Sequence, residues 1–104
     1  MEHMTYHYAV DKRATGTRLL AIVGVVASGN LEVLVERVLA DKDCEVVVNT
    51  AVSGFGDVWE AVVGDFIERT SAGGLRMSIN DGGARPDMVS LRLAQAVASI
   101  AEDA

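Results

Sequence analysis

The sequence is short of the residues that build common active sites, anchors and cross-links. Its 104 residues include one cysteine, one proline, two histidines, one tryptophan, two tyrosines and two phenylalanines. A lone cysteine excludes an internal disulfide. Cys44 lies in the apolar run "CEVVV", which predicts a buried, inert thiol rather than a nucleophile. His3 and His7 have no cysteine or carboxylate cluster beside them, so no zinc-like ligand set is present. They read as surface histidines near a terminus, sharing one face if "TYHYAV" is a strand. Basic residues are also scarce, with nine Lys and Arg against fifteen Asp and Glu and a net charge of −6. Without a basic stripe, and with few aromatics for base stacking, a nucleic-acid partner is excluded. An acidic surface instead suits solubility and docking to basic faces of partner proteins. No apolar run reaches the roughly 18 residues that span a bilayer. The N-terminal "MEHMTYHYAVDKR" lacks the basic-then-apolar order of a signal peptide. The expectation is a cytoplasmic chain with no membrane segment.

Enzyme motifs are missing as well. There is no G-x-S-x-G elbow, no P-loop lysine and no dinucleotide fingerprint. Gly54-Phe55-Gly56 and Gly82-Gly83 read as isolated turn glycines, and the carboxylates fall on the wet faces of the expected elements.

What the chain does have is apolar patterning: half of its residues are hydrophobic. A chain this long buries roughly two-thirds of its unfolded surface, enough for one core. With no repeat or linker, one domain over residues 1–104 is expected, with residues 1–4 mobile. The first half has strand character. Met4 to Val10 suits an edge strand, and Arg18 to Ala27 ("RLLAIVGVVA") a central strand covered on at least one face. From Leu31 to Val38, Leu31, Val33 and Val35 alternate with Glu32, Leu34 and Glu36, the period of a half-buried strand. Cys44 to Val52 is β-branched and strand-like.

The second half changes period. Val58, Val62 and Phe66 with Trp59, Val63 and Ile67 form one helical stripe, with Asp57 as N-cap or in the first turn. "SAGG" ends that helix, and Leu75, Met77 and Ile79 face inward from another strand. Pro86 sits where a helix can start. Val89, Leu93, Ala96, Val97 and Ile100 line the apolar side of that second helix. The order predicts an α+β fold, a two-layer sandwich of a mostly antiparallel sheet with two helices packed on one face.

Between two strand-like runs stands Ser28-Gly29-Asn30, predicted to be a hairpin connection with Gly29 free to take positive φ. A serine at a hairpin tip offers an accessible hydroxyl, and an arm tethered there gains a high effective concentration at every site within reach. From the residues alone, a turn serine with no further role is the better reading. A hydrolytic triad would have to recruit His3 or His7 from the terminus.

The segment "VVASGNLEVLVE" resembles the modification segment of the malonate decarboxylase acyl carrier protein (delta subunit) family, whose pattern is close to V-G-S-G-D-L-E-V-L. Ser28, Gly29, Leu31, Glu32, Val33 and Leu34 match it. A second segment, "SINDGGARPDMVSLRLAQAV", resembles the family's C-terminal block. The matches there are Ile79, Asn80, Asp81, Gly83, Ala84, Pro86, Val89, Leu91, Arg92, Leu93, Gln95 and Ala96. Ala27, Asn30 and Arg85 depart from the pattern. Asn30 removes a negative charge while keeping turn capacity, and Leu91 and Leu93 are expected to pack.

The resemblance implies a non-catalytic carrier. Ser28 would bear phosphoribosyl-dephospho-coenzyme A through a phosphodiester, and the arm's thiol would hold acetyl and malonyl thioesters while malonate is decarboxylated to acetate and carbon dioxide. It implies no catalytic residue and no metal in this chain. The implied partners are the transferase and decarboxylase subunits and the enzyme that attaches the group. A carrier for a related lyase such as citrate lyase, and an unmodified protein-interaction module, are the alternative readings.

Overall fold

Alternation of apolar and polar residues builds the sheet, and two amphipathic stripes cover it. The structure, a computed structural model, describes residues 2–25 and 28–103. In chain order its elements are β1 (Glu2–Ala9), β2 (Leu20–Val25), β3 (Ser28–Arg37), β4 (Asp43–Thr50), α1 (Gly56–Glu68), β5 (Leu75–Asp81) and α2 (Pro86–Ile100). The strands form one sheet in the order β1-β4-β5-β3-β2. β1 with β4, β2 with β3 and β3 with β5 are antiparallel, while β4 and β5 are parallel. The parallel pair follows from α1, because a parallel connection needs a crossover and β4-α1-β5 supplies it.

Leu31, Val33 and Val35 of β3, Cys44, Val46 and Val48 of β4, and Leu75, Met77 and Ile79 of β5 all point into one buried layer. Trp59, Val63, Phe66 and Ile67 of α1 and Val89, Leu93, Ala96 and Ile100 of α2 close over it. Each fully buried large side chain, such as Leu93 or Ile79, contributes roughly 1.5–3 kcal/mol. The α+β sandwich expected from the sequence is therefore the fold. Asp57 lies in the first turn of α1 rather than at its N-cap, which is Phe55. Val58 belongs to the expected stripe but is 42% exposed at its edge.

Two expectations are corrected. The apolar run at 18–27 predicted a central strand, yet β2 is a sheet edge. α2 packs on it from one side, while Leu20 and Ile22 are 57% and 60% exposed on the other. An unbroken apolar run encodes burial on two faces only when a second layer covers the sheet, and among the described residues no element covers the open face. Residues 2–4, expected to be mobile, pair with Thr50, Asn49 and Val48 in β1. No described helix is long and apolar enough to cross a membrane.

The open face is laid out in cross-strand rows. His3, Asn49, Asn80 and Glu32 stand in one row, with Asn80 Nδ2 donating to Glu32 Oε1 at 3.1 Å. His7, Glu45, Arg76 and Glu36 stand in another, with Arg76 Nε 3.0 Å from Glu45 Oε1 and His7 Nδ1 3.3 Å from Glu45 Oε2. The histidines do share a solvent face, as the strand reading predicted.

Candidate functional site

The β2–β3 hairpin positions Ser28. Val25 pairs directly with Ser28, and residues 26 and 27 lie outside the described residues. Ser28-Gly29-Asn30 is therefore the opening of β3 and not the connection itself. The exposure expected of the Ser28 hydroxyl, and the Ala27 departure, likewise fall outside what is described.

The ladder is not regular here. Val23 pairs with Val33, but Val25 pairs with Ser28, so two steps on β2 correspond to five on β3. The excess is absorbed as a bulge, the usual device for re-aiming a strand end near a functional position. Asn30 sits in that bulge at φ 58, the left-handed region that asparagine tolerates better than most residues. On the β2 side of the same irregularity, Gly24 has φ +73. A Cβ on Gly24 would lie 2.5 Å from the Leu31 carbonyl oxygen, 2.9 Å from Arg92 Nε and 3.1 Å from Arg92 Cζ. The glycine thus lets the Arg92 side chain of α2 lie directly on the hairpin. Arg92 Nη1 donates to Gln95 Oε1 one turn on, at 3.2 Å.

The turn between β5 and α2 closes the other side. Gly82 N–H donates to the Asn30 carbonyl at 2.7 Å. Asp81 is buried and accepts from Thr50 Oγ1 at 2.7 Å and from the Ala84 N–H at 2.8 Å. Pro86 then opens α2. Beneath this turn a cavity of about 310 Å³ is lined by Val52, Phe55, Trp59, Val62, Asp81 and Val89. A wider groove of about 1130 Å³ lies between Tyr8–Lys12 and α1, at the far end of β1, and takes no part in this site.

The other candidates resolve into structure. His3 lies on β1 and Ser28 on β3, with β4 and β5 between them. Three strand spacings amount to about 14 Å, so no serine–histidine pair forms. Gly54 N–H donates to the Glu2 carboxylate, and Gly82 serves the turn just described. Among the described residues no group of three or more His, Cys, Asp or Glu could hold a metal ion.

Cys44 is buried on β4, and burial, with a smaller push from Glu45, raises its thiol from the usual 9.0 to about 12. Native protein is therefore expected to resist iodoacetamide at pH 8 and to react fully once unfolded in urea, as intact mass will show; native labelling within minutes would contradict the burial. The same shift has a stability consequence. The folded thiol keeps its proton to about pH 12 while an unfolded one releases it near 9, so stability falls as pH rises between those values.

Sequence reasoning left Leu91 as a packing residue, yet it is 50% exposed while Leu93 is fully buried. It passed over Gly24 as well, although an isolated glycine inside an apolar strand run is the signal for a bulge or a close approach.

Comparison with known proteins bears on this site. Residues 19–100 match the family model described as Malonate decarboxylase delta subunit (MdcD). The chain belongs to that family. It is 66% identical over 103 residues to the malonate decarboxylase acyl carrier protein of Bradyrhizobium diazoefficiens, covering 99% of this chain and 98% of that one. The protein of the same name from Burkholderia cepacia is 54% identical over 89 residues, 86% of this chain and 82% of that one. Among solved structures, a chain from the crystal structure of a Pseudomonas malonate decarboxylase hetero-tetramer in complex with malonate superposes with a TM-score of 0.83 at 31% identity. That alignment covers 96% of this chain and 99% of the other. The fold described above is thus the fold of a delta subunit, and the β2–β3 hairpin is part of it.

Proposed function

We propose that this delta-family chain is the acyl carrier subunit of a malonate decarboxylase, and that Ser28 is the attachment point of phosphoribosyl-dephospho-coenzyme A. One observation carries the reading. The two segments that resemble the family in sequence, 28–34 and 79–96, meet at one end of the fold. Leu31 pairs with Asp81 and Glu32 with Asn80, Gly82 binds the Asn30 carbonyl, and Arg92 lies on Gly24.

The residues present fit the group. A phosphodiester needs a serine hydroxyl, and Ser28 stands at the first position of β3, where the β2–β3 ladder ends. When bound, the group supplies a thiol on a long arm, the handle on which acyl units are carried. The chain's own part is to hold that arm at one pole and to present it to partner subunits. Cys44, buried with its proton held, leaves carrier chemistry to the arm's thiol. Leu20 and Ile22, exposed side by side on the open face of the edge strand, suit a partner subunit, since adjacent exposed apolar side chains commonly mark protein contacts.

The test is an intact-mass measurement on the chain purified from malonate-grown cells, with fragment mapping, alongside Ser28→Ala. The wild-type chain is expected to carry the added group on Ser28, and the variant to carry none while keeping its circular dichroism spectrum. An unmodified wild-type chain in cells that contain the attaching enzyme overturns the carrier reading in favour of an assembly module.

A further inference from the structure

We infer that the apolar cavity under the β5–α2 turn holds the acyl end of the arm when that end is uncharged, and excludes it when it carries a free carboxylate; this rests on the Ser28 attachment proposed above. The acetylated arm then rests in the fold, and the malonylated arm stays outside for a partner subunit.

The cavity, of about 310 Å³, falls at the lower end of the roughly 300–1,000 Å³ of small-molecule sites. Val52, Phe55, Val62 and Val89 give it apolar walls, while Thr50 and Asp81 supply polar ones. Its rim is apolar too, since Val52, Phe55 and Val58 are all exposed. An exposed apolar patch continuous with an apolar hollow marks a binding surface.

The cavity lies at the pole of the proposed attachment. Asn30, two residues after Ser28, accepts from the Gly82 N–H at 2.7 Å, and the next residue, Gly83, lines the cavity. Those steps, about 3.8 Å each along the chain and about 5 Å across the pairing, put the backbone of residue 28 within roughly 16 Å of the lining. An arm that joins a nucleotide to pantetheine is longer than that when extended.

Charge decides which acyl group enters. No lysine, arginine or histidine lines the cavity. Asp81, buried in its wall, is a carboxylate held by hydrogen bonds from Thr50 Oγ1 and the Ala84 N–H. A second carboxylate would be buried beside it with no cation to pair with, at a high desolvation and repulsion cost. Both helices begin at this cavity, but each has an aspartate in its first turn, Asp57 in α1 and Asp87 in α2, which offsets the attraction of a helix N-terminus for anions. An acetyl thioester is neutral and escapes that cost. A malonyl thioester ends in a carboxylate and meets it in full.

The experiment uses the full-length chain with its arm attached, prepared in thiol, acetyl and malonyl forms. Intact mass checks attachment first, and a chain that gains no mass removes the Ser28 reading itself. The lone tryptophan, Trp59, lines the cavity, so its indole N–H resonance and the methyl resonances of Val62 and Val89 report occupancy in the wild type. They are expected to move in the acetyl form and to keep their unmodified-chain positions in the malonyl form. Hydroxylamine should cleave the acetyl thioester about tenfold more slowly on the wild type than on Ala84→Phe, whose ring fills the cavity, and should cleave the malonyl thioester equally on both. With the mass gain present, resonances that stay in place in the acetyl form, or that move equally in both forms, overturn the inference. So does movement that appears only when the other subunits are added to the unmodified chain, which would make the cavity a contact for a partner's side chain.

Discussion

Replacing Gly73 by alanine is expected to lower the melting temperature by about 15 °C, corresponding to roughly 3 kcal/mol. The reason is a crossing of three connections at the pole opposite Ser28. A Cβ on Gly73 would meet the Asp41 carbonyl oxygen at 1.9 Å and the Lys12 carbonyl oxygen at 2.7 Å. Both are backbone atoms, so no side chain can swing aside. The same glycine donates to the Lys12 carbonyl and accepts from the Ala14 N–H, each at 2.9 Å. Its neighbour Gly74 donates to Asp43 and accepts from Val38 and Leu39. Opening the crossing therefore costs hydrogen bonds, at about 1 kcal/mol each, as well as steric strain. Thermal unfolding followed by circular dichroism measures the effect, and Gly64→Ala, where an added Cβ meets no atom within 4 Å, is the control. A Gly73→Ala protein melting within about 3 °C of wild type would show that these loops move apart freely. Because the lesion lies far from the hairpin, the attachment proposed at Ser28 should be unaffected below the lowered melting point.

The contrast between those two poles bears on what the sequence could reveal. Period-two and period-four patterns located β3, β5 and both helices, because Leu31, Val33, Met77, Ile79, Val63 and Leu93 are packed by local periodicity against a single layer. The same logic failed for β2. An apolar run reports that a strand is greasy, not whether a neighbour lies on each side, and Leu20 and Ile22 face outward. Position in the sheet depends on the order β1-β4-β5-β3-β2, which is set by long-range pairing. The site divides in the same way. Ser28 could be singled out by its turn residues and by the resemblance of its flanks. Its neighbours could not, since Arg92 reaches the hairpin through a bulge that depends on the register of two strands. Gly73 was likewise read only as part of a helix stop, because a carbonyl from a loop thirty-two residues earlier is invisible to a local window.

At the Ser28 pole the largest loss is expected from Asp81→Ala, at about 3 kcal/mol. Asp81 ends β5 opposite Leu31, buried from solvent, and its two oxygens do two jobs. One accepts the hydroxyl of Thr50, which is fully buried on β4, and the other accepts the Ala84 N–H across the turn into α2. Hydrogen bonds to a carboxylate contribute about 1.5 kcal/mol each, and alanine loses both. Asparagine keeps one acceptor oxygen, so Asp81→Asn should cost about half as much. Thr50→Val in the Asp81→Ala background should add less than it does alone, because the two residues share one bond. Urea titration gives all four values. The turn should also respond, with faster hydrogen exchange at the Gly82 N–H that holds the Asn30 carbonyl. If Asp81→Asn and Asp81→Ala are equal and both cost under about 1 kcal/mol, the carboxylate is not what fastens β4, β5 and α2 together at this end. If they differ as expected, the residue that reads as part of a family block is there to fasten β4, β5 and the turn into α2 at the pole that carries Ser28, where it also pairs with Leu31 of the hairpin.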